Sequence, residues 1–421
     1  MKRRSFLLGG TGVAIASALI LRPKENGGPH NHYFSKLNDL LKKDGPANPS
    51  MLIDLDRMNS NIDSLSSSVG PNKKFRVVVK SLPSVELVKH VMHRANTKSL
   101  MLFHQPFINL IAKSVPDADV LIGKPLPVNA AERFYLKLQE DSTNKFNPET
   151  QLQWLVDTPK RFQQYRKLAQ KLGIKMQINL EIDLGLHRGG FSETSAAIDI
   201  FESIKADAKH LVFSGFMGYE PHLSGSEATL ADDSVQAVLN VYREFVSAAE
   251  LAGYDSSQLT LNGAGSHTLG IYEDCNVMND LSAGSGILKP SDFDTYHLRN
   301  NQAALFIATP ILKRYDELKL PLNPLVSQVL SAWNPNMRRL YFIYGGYWKA
   351  KFVSPSGVPE PVYHSTNQEP VATSVLVDLQ VDDYMFLRPT QSEHVMLQFG
   401  DLLVFSQGQL VRKWPVFQET G

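Results

Sequence analysis

The stretch FRVVVKSLPSVELVKH, residues 75–90, decides how the chain is read. Phe75 and Val77 to Val79 are apolar and mostly β-branched, the texture of a strand buried on both faces. The run stops on Lys80, and an amphipathic helical pattern starts at once. That is one strand–helix unit, and the same two textures recur along the chain. The apolar runs are MLIDLD (51–56), RVVVK (76–80), SLMLFH (99–104), DVLIGK (119–124), LQWLVD (152–157), QINLEID (177–183), LVFSGFMGY (211–219) and LTLNGAG (259–265). Helical stretches separate them. TPKRFQQYRKLAQKLG (158–173) has a threonine cap, a proline in its first turn and a terminal glycine, and SVQAVLNVYREFVSAAELAG (234–253) is another. Eight such units point to an α/β fold, a closed (β/α)8 TIM-type barrel, with an open doubly wound sheet as the alternative.

After about residue 290 strand-like runs alternate with turns and no long helical pattern appears, which reads as a mostly antiparallel β domain. Residues 29–50 could add a helix that packs on it. The expected division is a signal or anchor over 1–28, a barrel over 29–290 and a β domain over 291–421.

The 421 residues are 43% hydrophobic and 20% charged, with a formal net charge of +1, an ordinary composition with no basic block suited to nucleic acid. Cys275 is the single cysteine, which excludes an internal disulfide and a thiolate-rich zinc site. Lys2, Arg3 and Arg4 precede an uncharged run over 5–21. The order Arg3-Arg4-Ser5-Phe6-Leu7 resembles a twin-arginine signal, so export to the periplasm is expected, with membrane anchoring if the segment is retained.

A barrel carries its chemistry at the C-terminal ends of its strands. In this reading Lys80 ends the second strand. A partly desolvated amine there could form an imine with an aldehyde, although a strand-capping surface lysine is the plainer reading of Lys80 alone. Glu181, Asp183 and Arg188 stand at the exit of the sixth run, and Tyr219 and His222 at that of the seventh. The eighth run ends in NGAGSHT (262–268), and a second small-residue turn, SAGSG (282–286), follows. Turns of this kind offer backbone N–H groups to a phosphate. A lysine with phosphate loops suits pyridoxal 5'-phosphate.

Taken in order, PSMLIDLDRMNSNIDSL, RVVVKSLPSVELVKHV, LVDTPKRFQQYRKLAQKLG, EIDLGLHRGGF, SGFMGYEPH, NGAGSHT and NDLSAGSGIL resemble the fold-type III pyridoxal-phosphate enzymes. Within them the likeness is to the D-threonine aldolase and D-serine dehydratase group, over roughly residues 49–290. The resemblance implies an alanine-racemase-like barrel, a homodimer and a small amino-acid substrate. It makes Lys80 the Schiff-base lysine and base, sets Arg188 near the cofactor's phenolic oxygen or the substrate carboxylate, and lays Tyr219 against the ring. His222 would stand near the substrate, and Gly265, Ser266, Gly284 and Ser285 would bind the phosphate. Ser282 occupies the place where the racemases carry an arginine that contacts the pyridine nitrogen.

The tail VRKWPVFQETG (411–421) lacks the late His-x-Cys or His-x-Asp segment of the metal-dependent members, so no divalent metal is expected. Glu393 and His394 resemble the family's Glu-His pair, which alone is no metal site; His364 and Asp401 could join only through the fold. The implied activity is a lyase acting on D-configured β-hydroxy amino acids, by dehydration or retro-aldol cleavage, with His222 or His394 assisting the hydroxyl. An amino-acid racemase, with Tyr341, Tyr344 or Tyr347 as second proton donor, is one alternative, and a non-catalytic cofactor-binding protein the other.

Overall fold

The computed structural model describes residues 22–225, 227–321 and 324–418; of the segment read as a signal, residues 1–21 lie outside them. Two compact units share the chain, each built from separate stretches. One holds the chain up to Leu52, Phe306–Pro389 and Phe405–Val411. The other holds Ile53–Leu305, Thr390–Val404 and the chain from Arg412 onward.

The second unit contains the closed barrel of eight parallel strands: β2 (Lys74–Val78), β3 (Ser99–Leu102), β4 (Asp119–Ile122), β5 (Leu152–Val156), β6 (Met176–Ile182), β7 (Leu211–Gly218), β8 (Thr260–Gly263) and β9 (Asp280–Ala283). The remaining sheet has the order β12 (Ala350–Ser354), β14 (Tyr384–Pro389), β10 (Leu305–Tyr315), β1 (Ser50–Asp54), β15 (Asp401–Ser406) and β16 (Gln409–Pro415). β11 (Arg339–Tyr344) pairs antiparallel with β10 and with β13 (Gln368–Thr373). The α/β reading, a TIM-type barrel followed by a mostly antiparallel sheet, therefore stands.

The assignment of strands to the barrel needs correction. The run at 51–56 is not its first strand: Ser50–Asp54 lies inside the other sheet, between β10 and β15. All five of its residues are buried, which gives it the same apolar texture as a barrel strand. The eighth barrel strand is instead Asp280–Ala283, inside a stretch that reads as a turn. Each expected strand end moves back one place: Lys80 follows the first barrel strand. It sits in a 3-10 turn, Val79–Ser81, rather than on the strand itself.

Local signals explain the helices. Pro159–Leu172 starts on the Thr158 side chain, which accepts from Arg161 N, and stops at Gly173 with φ 66°. Pro324–Trp333 is a ten-residue helix in a region that reads as strand and turn; it has no charged residue to mark a polar face. His32–Asp44 is anchored within its own unit, where Asn38 accepts from Tyr384 N and donates to Asp383, and Lys42 pairs with Asp383 at 2.7 Å.

The interior of the barrel is polar at one level. Arg76 on β2 has no exposed surface, and its guanidinium is fully used. Nε and Nη2 bind Asp280 at 2.8 and 2.7 Å, Nη2 binds Asp119 at 2.9 Å, and Nη1 donates to the carbonyls of Leu100 and Asp119. All five N–H donors are thereby satisfied, the condition under which a buried cation is tolerated. Burial pushes the Asp119 carboxyl up, but Arg76 outweighs this and holds it below its ordinary value. Asn262 on β8 extends the network, donating to Asp280 at 2.6 Å and to Ser282 Oγ at 2.8 Å.

Removing one partner should leave a buried charge uncompensated. Asp280→Ala is expected to lower unfolding free energy by about 3–5 kcal/mol, read as a drop in the urea midpoint. A loss under about 1 kcal/mol would show that Arg76 finds other compensation.

Candidate active site

The strand ends of the barrel surround a cavity of about 710 Å³, lined among others by Lys80, Arg188, Tyr219, Gly265, Ser266, Gly284 and Ser285. Seven of the eight residues singled out from sequence thus share one cavity. His222 does not line it: it is exposed in the turn Pro221–Gly225, beside Gly185.

The position of Lys80 follows from the barrel. β2 alternates, so Arg76 and Val78 face inward while Phe75 and Val77 pack outward. Arg76 reaches the interior network and Val78 the cavity wall. The turn at Val79–Ser81 then carries Lys80 to the mouth. Its Nζ lies 2.8 Å from Glu393 Oε1 and 4.9 Å from the centroid of the Phe103 ring.

The small residues form a connected cradle. Ser266 Oγ accepts from the backbone N–H of Gly284 and Gly286, at 3.1 and 3.0 Å, so its own proton remains to be donated. The hydroxyls of Ser81 and Ser285 pair at 2.8 Å, which leaves one more O–H to give. A Cβ on Gly284 would lie 2.6 Å from the Val78 carbonyl oxygen, and one on Gly265 would lie 2.6 Å from Tyr219 Cε2. Only glycine permits these approaches. Behind the cradle Glu220 is fully buried and accepts from Thr268 Oγ1 at 2.7 Å, and that oxygen accepts from Gly265 N. Burial pushes the Glu220 carboxyl up to about 7. Hydroxyl donors on close-packed turns suit a phosphate ester, and with a lysine amine in the same cavity they fit pyridoxal phosphate.

The opposite side belongs to β6, four strands round from β2 in either direction. The loop beyond it returns to its own strand through Phe191 N to the Glu181 carbonyl and Asp183 N to the Phe191 carbonyl. That return sets Arg188 with its guanidinium 5.3 Å from the centroid of the Tyr219 ring. Glu181 lines the same wall and is 8% exposed. Burial raises its carboxyl to about 7, against the pull of Arg188. Nearer the cradle, the His267 ring stacks on Phe293 at 4.2 Å.

Sequence reasoning missed several lining groups. Lys124, His104 and Asp157 sit just beyond barrel strands that were found, so distance from a strand end was the available signal. Glu393 was noticed only beside His394, which is exposed and does not line the cavity. Among the described residues no group of three or more His, Cys, Asp or Glu side chains is placed to hold a metal ion.

A parallel barrel with a lysine at its mouth and a hydroxyl-lined glycine cradle defines the racemase-type barrel class. The chain belongs to the alanine racemase N-terminal domain family, which it matches over residues 53–288. It is 28% identical over 170 residues to a 3-hydroxy-D-aspartate aldolase of Paracoccus denitrificans, an alignment that spans 37% of this chain and only 42% of the relative. Among solved structures it resembles D-threonine aldolase from Filomicrobium marinum, with TM-score 0.69 and 14% identity over 88% of this chain and 96% of the other. D-threo-3-hydroxyaspartate dehydratase from Delftia sp. HT23 gives 0.68 and 13% over 88% and 98%. Alanine racemase from Bacillus anthracis gives 0.66 and 13% over 87% and 97%. At such identities the structural likeness speaks for the fold alone.

Glu181 should titrate near 7 rather than at the ordinary 4.5, with Arg188→Gln raising the midpoint further because it removes the cation that favours the carboxylate. Carbon NMR of labelled glutamate carboxyls reads both values. An ordinary midpoint, unmoved by the substitution, would contradict the placement of the pair.

Proposed function

We propose that this chain is a pyridoxal-phosphate-dependent lyase acting on D-configured β-hydroxy amino acids. The observation that carries the reading is one cavity holding both the Lys80 amine and the Gly265–Ser266 and Gly284–Ser285 cradle. The names of the relatives, an aldolase and a dehydratase of 3-hydroxyaspartate among them, support the substrate class.

When bound, the cofactor would supply the electron sink for a bond broken at the substrate's α-carbon. The protein's own groups do the rest. Ser266 and the Ser81–Ser285 pair donate to the phosphate, while Tyr219 and Arg188 form a wall on which a planar ring can lie. Lys80 is the amine that holds the cofactor's aldehyde carbon and then takes the α-proton. Arg188 offers a cation to a carboxylate. Exposed and off the wall, His222 is not assigned contact with substrate in this reading.

A racemase remains the second reading, and it needs an accessible tyrosine as second proton donor. Tyr341 is wholly buried, with its hydroxyl donating to the Val377 carbonyl, so it is not that group. Tyr344 and Tyr347 are 40% and 63% exposed. The arginine pair and uncharged run at the N-terminus support the proposal that the protein is exported to the periplasm, anchored if the run is retained. A homodimer is proposed from the family resemblance.

Purified protein given pyridoxal phosphate should develop a visible imine band that borohydride removes and that Lys80→Ala never forms. Incubation with D-serine should then yield a 2-oxo acid, or D-threonine an aldehyde. Formation of the opposite enantiomer alone would favour the racemase, and absence of any band would end the cofactor reading.

A further inference from the structure

We propose that Glu393 is a catalytic acid of this site, carrying the proton taken by Lys80 to the hydroxyl that leaves the substrate's β-carbon. The reaction on a D-configured β-hydroxy amino acid is then elimination of water rather than carbon–carbon cleavage. The inference rests on the lyase reading above and names its leaving-group chemistry.

Glu393 Oε1 is 2.8 Å from Lys80 Nζ, and both side chains are 36% exposed within the cavity they line. A base that takes the α-proton must lie within hydrogen-bond reach of it. The β-oxygen is two bonds from the α-carbon, so a carboxylate one hydrogen bond from that base is near the β-oxygen too.

The carboxylate is held there by local structure. Ser392 is fully buried, and Glu393 opens the short helix Glu393–Met396, whose Val395 and Met396 are buried. Upstream, Asp292 N donates to the Thr390 carbonyl at 3.1 Å, and Gln391 Nε2 reaches Asp292 Oδ2 at 3.5 Å. Three other acid–base groups are less well placed. His222 and His394 are exposed and off the wall. Glu181 stands on β6, across the barrel from β2.

The proton balance closes on the pair. Lys80 takes the proton from Cα, and the Cα–H electron pair becomes the second Cα–Cβ bond. The Cβ–O bond breaks and its electron pair leaves with the oxygen. Lys80 passes its proton to Glu393, and Glu393 gives one to that oxygen, which departs as water. Both side chains return to their starting states, and the enamine left behind hydrolyses to a 2-oxo acid and ammonia. No oxidant or further acid is required.

Glu393→Gln keeps a polar contact with Lys80 but has no carboxyl proton to pass. Wild type and variant are compared on D-serine, whose hydroxide leaves poorly without a proton, and on β-chloro-D-alanine, whose chloride leaves without one. The ratio of turnover on D-serine to turnover on β-chloro-D-alanine should fall about 100-fold in the variant. Equilibrium titration with pyridoxal phosphate, followed by visible absorbance, should match wild type and show the site intact. Equal losses on both substrates with cofactor binding intact would overturn the assignment. So would a wild type that expels chloride but not water, or that turns D-threonine into glycine and acetaldehyde without forming a 2-oxo acid. A wild type that fails to bind pyridoxal phosphate would instead remove the lyase reading itself, and this inference with it.

Discussion

Arg76 spans the seam where the barrel closes. β2 and β9 pair in parallel from Lys74–Asp280 to Val77–Ala283, and the guanidinium on the first of these strands grips Asp280 on the last. A buried cation with two carboxylates and two carbonyls is stable only in one arrangement, because each N–H must keep its partner. That arrangement fixes the register of the seam, and the register fixes what stands above it. Val78 and Ser282 reach the cavity wall on adjacent strands. The turns that follow place Lys80 and the Gly284–Ser285 cradle side by side.

From there the chemistry is a matter of what surrounds one amine. The cradle offers hydroxyl donors where the backbone comes too close for any side chain but glycine's. Two carboxyls raised by burial, Glu181 across the barrel and Glu220 behind the cradle, differ in their partners. Glu181 answers to Arg188 in the cavity, whereas Glu220 is sealed behind the turn it supports through Thr268. One faces the cavity and the other holds a turn that lines it.

Much of this was legible in the sequence, for reasons that also explain the errors. A strand buried on both faces, followed by an amphipathic helix, is a recognisable unit, and its repetition along the chain is what made the barrel readable; Lys80 gained its meaning only beside the later glycine turns. The same texture misled at 51–56, since a strand buried within any sheet looks alike. Asp280–Ala283 escaped because its inward face carries Asp280 and Ser282, and a polar barrel interior breaks the apolar rule. The helix Pro324–Trp333 escaped for lack of a charged face. Glu393 was invisible as a partner of Lys80 because more than 300 residues separate them, and the interleaving of the two units has no local signature. His222 shows the converse: its place in a motif suggested the cavity, and its turn points elsewhere.

The central claim is that the amine at the mouth is the one that holds the cofactor. Protein loaded with pyridoxal phosphate, reduced with borohydride and digested, can be mapped by mass spectrometry for the residue that bears the label. The account predicts the label on Lys80. A label on Lys124, which lines the same cavity, or no label on any lysine of the barrel, would contradict it.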